Sequence, residues 1–222
     1  MLSFNNSVCD INLLMHAAQA TYRIQSKNII YDDIDAVSHD ARIRFLNTQE
    51  TINIKKYAIY ETTSPHDCEG KSDLCALALK PHDETSPIVI AFRGTMTIKD
   101  MSSNLNIVVR GVAGKNLCQE AYQFYEKVKT YFPDREIVLT GHSLGGHLAQ
   151  YVGIKAYAHQ HEGVFVRTFN SAPIGSQYTS AMSLSKLEIL HNFVHYRFLD
   201  DWLIGLSFSG CYGDLYTFNM HA

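Results

Sequence analysis

Residues 136–147 read E-I-V-L-T-G-H-S-L-G-G-H. Ile137, Val138 and Leu139 form a short apolar run of the kind a doubly covered central strand shows. Gly141-His142-Ser143-Leu144-Gly145 follows, a G-x-S-x-G, and Leu144, Leu148, Tyr151 and Val152 then recur at helical spacing. Strand, glycine-flanked turn, helix is the setting in which this motif forms a nucleophile elbow. A serine there projects its hydroxyl from the sheet edge, and the glycines leave room where strand and helix approach closely. The helix N-terminus directs backbone N–H groups at any developing negative charge. Ser143 is therefore read as the nucleophile of a hydrolase.

Working outward, Ile88-Val89-Ile90-Ala91-Phe92 is a second continuous apolar run, read as another central strand, and it ends in Arg93-Gly94-Thr95. A glycine and a hydroxyl residue just after such a strand can present an inward backbone N–H, the donor an acyl-transfer site needs for its oxyanion. The N–H of Leu144, the residue after the nucleophile, supplies the second donor. Upstream, residues 9–25 read as an amphipathic helix with Ile11, Leu14, Met15, Ala18 and Tyr22 facing the core. Residues 54–60 and 73–79 read as strands. Residues 116–131 read as a helix with Ala121, Phe124, Tyr125, Val128 and either Tyr131 or Phe132 inward, stopped by Pro133. Downstream, 164–170 and 192–198 read as core strands, 184–190 as a helix, and 215–218 as an edge strand. For residues 96–118 two readings stay open: an apolar lid over the site, or a crossing element packed on the core. The expected architecture is an α/β-hydrolase fold over residues 1–222 as a single domain, with a mostly parallel central sheet and helices on both faces.

A serine hydroxyl needs a histidine to take its proton and an acid to hold that imidazole. In this fold type the order is Ser, then Asp or Glu, then His. Asp200 and Asp201 sit just past a strand C-terminus, where open α/β sheets place their sites; Asp201, in its Asp-Trp-Leu context, is preferred. After them only His221 remains, so chain order names it as the base. His191 and His195 are the fallback bases. His142 is expected to point away from Ser143, and His147 to serve packing or the rim.

The remaining composition narrows the class. With 46% hydrophobic and 18% charged residues, 222 residues make a folded globular chain, and a net charge of −3 implies no nucleic-acid partner. The eleven histidines show no zinc-ligand spacing, and five cysteines without C-x-x-C read as free thiols; a Cys68–Cys75 bridge is not required. The N-terminal stretch 8–20 is interrupted by Asp10, Asn12, His16 and Gln19, so it reads as neither signal peptide nor membrane span. The default expectation is a cytoplasmic protein, with export by a route lacking a cleaved signal left open.

Three blocks carry a family resemblance: residues 88–95 (IVIAFRGT), 136–150 (EIVLTGHSLGGHLAQ) and 168–175 (TFNSAPIG). Together they resemble the class 3 lipases, the fungal triacylglycerol-lipase-like group of α/β-hydrolases, including its bacterial lipase-like members. The resemblance covers roughly residues 55–221. It implies Ser143 as nucleophile, Asp201 and His221 as triad partners, and Thr95 and Leu144 as oxyanion-hole residues, Thr95 adding its hydroxyl. It also implies an acyl-ester or lipid substrate, presented in some members at a membrane surface, with no metal or cofactor. The chain departs from the family at Ala113-Gly114-Lys115, where a histidine-glycine pair is common, and in lacking a tryptophan after Arg-Gly-Thr. Two rivals accompany the hydrolase reading: a catalytically silent lipase-like module that binds lipid or a protein partner, and an acyltransferase using an acceptor other than water.

Overall fold

A computed structural model of the chain describes residues 10–23, 57–63, 74–94, 114–174, 191–198 and 213–218. Their elements are α1 (Ile11–Ala20) with a 3-10 turn (Thr21–Arg23), β1 (Tyr57–Thr63), β2 (Ala76–Pro81), β3 (Ile88–Phe92), α2 (Gly114–Tyr131), β4 (Ile137–His142), α3 (Leu144–Ala158), β5 (Val164–Phe169), β6 (Phe193–Phe198) and β7 (Asp214–Phe218). The seven strands form one sheet in sequence order. β1, β2 and β3 pair antiparallel; β3 to β7 are all parallel.

Strand alternation divides the core in two. Ile88, Ile90, Phe92, Ile137, Leu139, Val164 and Val166 face α2 and α3, with Tyr125, Val128, Leu148 and Val152 packed over them. Val89, Ala91 and Val138 face the other way, onto Leu13, Leu14, Ala17 and Ala18 of α1. Residues on successive positions of a strand point to opposite faces, so a run apolar at every position is the mark of a sheet covered on both sides. Both crossover helices lie on one face because β3, β4 and β5 are parallel, adjacent and in sequence order, and such crossovers share one hand. The chain has the α/β-hydrolase architecture, with helices on both faces of a mostly parallel sheet.

The packing differs from the sequence expectation in detail. On α1 the buried residues are Leu13, Leu14, His16, Ala17, Ala18 and Ala20, while Ile11 is exposed. The small Ala17 and Ala18 let the helix lie close on the sheet, which turns the stripe away from Ile11. Tyr131 is exposed and Phe132 takes the inward place. The first strand extends to Thr63 rather than ending at residue 60, and residues 54–56 lie outside the described residues. Cys75 is buried and its Sγ donates to the Thr21 carbonyl at 3.2 Å, while Cys68 lies outside the described residues. Cys118 is a free thiol, and burial pushes it up to about 12. The expected helix over 184–190 and most of the 96–118 stretch lie outside the described residues.

Candidate active site

β4 runs between β3 and β5 and ends at His142, and α3 begins at Leu144. Ser143 is the single residue between them, with φ 55 and ψ −121. A non-glycine residue in that region costs on the order of 1–3 kcal/mol and persists only where its surroundings impose it. Three backbone hydrogen bonds do so. The Ser143 N–H donates to Phe169 O at 3.2 Å, and its carbonyl accepts from His147 N–H at 3.2 Å and Ala172 N–H at 3.0 Å. The serine is 3% exposed, and its Oγ is buried with no hydrogen-bond partner among the described residues. A buried hydroxyl in that state calls for an explanation beyond the fold's own hydrogen bonding.

The glycines permit this geometry by close approach. A Cβ on Gly145 would strike the Phe92 carbonyl oxygen and lie 2.8 Å from its carbon, so no side chain fits between α3 and the end of β3. A Cβ on Gly141 would likewise meet the backbone of Gly145. The same closeness brings the Arg93-Gly94 stub to Ser143. A Cβ on Gly94 would lie 2.7 Å from the His142 carbonyl oxygen and 3.5 Å from Ser143 Cβ, and would strike the hydroxyl of Tyr22. Thus the elbow and the strand end carrying the proposed oxyanion donor meet, as their motifs require. Leu144 opens α3, so its N–H is one of the helix-start donors without an intrahelical partner. Thr95 lies outside the described residues, as do Asp200, Asp201 and His221.

The strands leading to those residues are described. β6 ends at Phe198, two residues before Asp200, and β7 ends at Phe218, three before His221. The two strands are parallel, and Phe198 pairs with Phe218. The fallback bases stand elsewhere. His195 is buried within the sheet, its Nδ1 2.6 Å from Thr168 Oγ1. His191 precedes β6, at the end of the strand remote from Phe198.

His147, read from the sequence as packing or rim, acts together with Gln150, which the sequence reading did not single out. Both lie on α3, one and two turns beyond Ser143, and both reach the chain leaving β5. His147 Nδ1 donates to Pro173 O at 2.8 Å; Gln150 Nε2 donates to Ser171 Oγ at 2.7 Å and Ala172 O at 3.1 Å. They clamp the segment whose Ala172 N–H holds the Ser143 carbonyl. Burial keeps the His147 imidazole below its usual 6.5, against a smaller opposing effect of the Pro173 carbonyl. Its folded pKa is lowered, so the unfolded chain binds the proton first. The stabilising contribution is present above pH 6.5 and is lost as pH falls below that value. His161, lowered mainly by burial and further by Lys129 and His159, acts in the same direction. The melting temperature should therefore drop between pH 7 and pH 5, and less steeply in His147→Gln; equal slopes would refute the assignment.

Tyr22 was legible in sequence only as a packing residue of the first helix; nothing there linked it to Gly94, 72 positions on. Among the described residues no three metal-binding side chains come together, and no helix is long and apolar enough to cross a membrane.

Solved structures share this architecture. The Rhizomucor miehei lipase propeptide complex, in a deletion mutant, aligns with a TM-score of 0.58 at 17% identity over 93% of this chain and 63% of its own. A mutant of MDLA from Penicillium cyclopium aligns with a TM-score of 0.56 at 15% identity, over 88% and 73%. A triacylglycerol lipase described as having a serine protease triad at its catalytic centre gives 0.53 at 14%, over 88% and 72%. The chain thus spans under two thirds of the length of the Rhizomucor chain. At such identities the likeness is one of fold. No curated protein matches by sequence. Residues 53–186 match the Tle-like phospholipase domain family, a span that holds Gly94, Thr95, Ser143 and Leu144 and ends before Asp201 and His221. Matched over more than half its length, with a lipase-like α/β-hydrolase fold, the chain belongs to the Tle-like phospholipase domain family.

Proposed function

We propose that the protein is a serine ester hydrolase acting on acyl-lipid esters, with Ser143, His221 and Asp201 as its triad. The observation that carries this is Ser143 itself: a buried, unpartnered hydroxyl on a positive-φ elbow, with the Gly94 stub beside it. Ser143 Oγ attacks the ester carbonyl carbon while His221 accepts the hydroxyl proton, oriented by Asp201. The carbonyl oxygen gains the negative charge and is held by the backbone N–H groups of Thr95 and Leu144. Collapse of the tetrahedral species breaks the ester C–O bond, and His221 returns its proton to the leaving alkoxide. Water then attacks the acyl-enzyme by the same route, releasing the carboxylic acid and Ser143.

The register of β6 and β7 supports this choice of acid and base. Neighbouring parallel strands lie about 4.8 Å apart, so the chain enters the Asp200-Asp201 and His221 segments from adjacent points on the sheet edge where Ser143 also sits. The family to which the chain belongs supports a phospholipid ester, and the fungal structural relatives a triacylglycerol. Both substrates present the same carbonyl chemistry to Ser143.

The test is a fluorophosphonate probe applied to the intact protein, followed by product analysis with phospholipid vesicles and with a triacylglycerol emulsion, each with and without added alcohol. Labelling at Ser143 and release of free fatty acid are expected. Transfer of the acyl group to the alcohol in place of water would favour the acyltransferase reading. Absence of both labelling and turnover would favour the silent binding module.

A further inference from the structure

The geometry points to Asn170 as the positioning residue that fixes the spacing between the nucleophile and the strand delivering the triad acid. The inference rests on the triad proposed above. Asn170 directly follows β5 and has φ 40, which takes it out of the strand. It is 6% exposed. Its N–H donates to Tyr196 O at 2.8 Å, and its side-chain Oδ1 accepts from Phe198 N–H at 2.8 Å. Main-chain pairing of β5 with β6 ends at Phe169 and Tyr196, so the Asn170 side chain continues it to the last residue of β6. Phe198 is two residues before Asp200 and three before Asp201.

The neighbours of Asn170 grip the nucleophile. Phe169 O accepts the Ser143 N–H, and Ala172 N–H donates to the Ser143 carbonyl. One four-residue segment therefore holds Ser143 from both sides and the end of β6 at two points. Phe198 also stacks its ring on that of Phe169, with centroids 6.4 Å apart; that contact is apolar, so the Asn170 side chain supplies the directional tie. A displacement of about 1 Å in such a constellation is enough to cost on the order of a hundredfold in rate. The residue type fits the task. Positive φ is accessible to asparagine and glycine at little cost, and of these only asparagine carries an acceptor.

Asn170→Gly separates the two properties, since it keeps the backbone conformation and removes Oδ1. Asn170→Asp keeps the acceptor. In Asn170→Gly, kcat should fall roughly a hundredfold with KM little changed. The acidic limb of the kcat/KM profile should move to lower pH, because an imidazole that loses its carboxylate partner is easier to deprotonate. Asn170→Asp should return both to near wild type. Where Asn170→Gly does not fold, the aspartate variant decides: wild-type kcat and acidic limb support the proposal, and their loss in a folded protein overturns it. An Asn170→Gly protein with unchanged kcat and acidic limb overturns the positioning role alone, provided the wild type is labelled at Ser143 and active. A wild type that is neither labelled nor active overturns the triad reading and this inference together.

Discussion

Replacing Ser143 by alanine should lower ester turnover by about a millionfold and abolish fluorophosphonate labelling, with the fold intact. The size of the effect follows from the covalent route. Without Oγ no acyl-enzyme forms, and the residual rate comes only from the oxyanion donors and substrate binding. The fold should survive because the contacts that hold position 143 are backbone ones, to Phe169, His147 and Ala172, and the side chain contributes no hydrogen bond among the described residues. Losing an unpartnered buried hydroxyl removes a desolvation cost, so the melting temperature should rise slightly or stay unchanged. Turnover within tenfold of wild type would remove Ser143 from the mechanism and the serine-hydrolase reading with it.

His221→Ala should cost a comparable factor, and Ser143→Ala/His221→Ala should be no slower than either single variant. Residues that act as one unit are grossly non-additive: with the base gone, the serine has no means of attack. The single His221→Ala variant is the discriminating experiment, since other histidines stand nearby in sequence. His142 adjoins the nucleophile, and His147 and His195 are buried in the core. Were one of these the base, His221→Ala would leave turnover near wild type and the double variant would simply match Ser143→Ala. His195 is already engaged with Thr168 inside the sheet, and His147 with Pro173 on the elbow helix. Protonating either would disturb packing rather than assist attack.

Physical causes decide which features the sequence disclosed. Ile88–Phe92 and the run before Gly141 were legible because a strand covered on both faces must be apolar at every position, and both are fully buried. The elbow was legible because close approach leaves glycine as the one residue that fits at 141 and 145. The strand at 215–218 was legible as a short run before His221, and β7 stands at the end of the order of described strands. What escaped depends on partners far along the chain. Asn170 looks like the end of a strand until its side chain is seen on Phe198. Tyr22 looks like one more apolar contact of a helix until its hydroxyl is seen at Gly94. The facing of α1 failed for another reason. Its apolar and small residues extend around most of the helix, so periodicity alone did not choose between Ile11 and Ala17.

β7 is five residues long, among the described residues it pairs with β6 alone, and Leu215, Tyr216 and Phe218 are each more than two fifths exposed. Little buried surface and, among the described residues, a single ladder hold it, so its detachment is expected to be a sub-global opening cheaper than melting the β3–β4–β5 centre. In the proposed triad this strand leads to the base, whereas the nucleophile stands on the most protected part of the sheet. Catalytic competence and foldedness are then governed by different free energies, and a population of molecules can be native by every spectroscopic measure while momentarily lacking half of its proton relay.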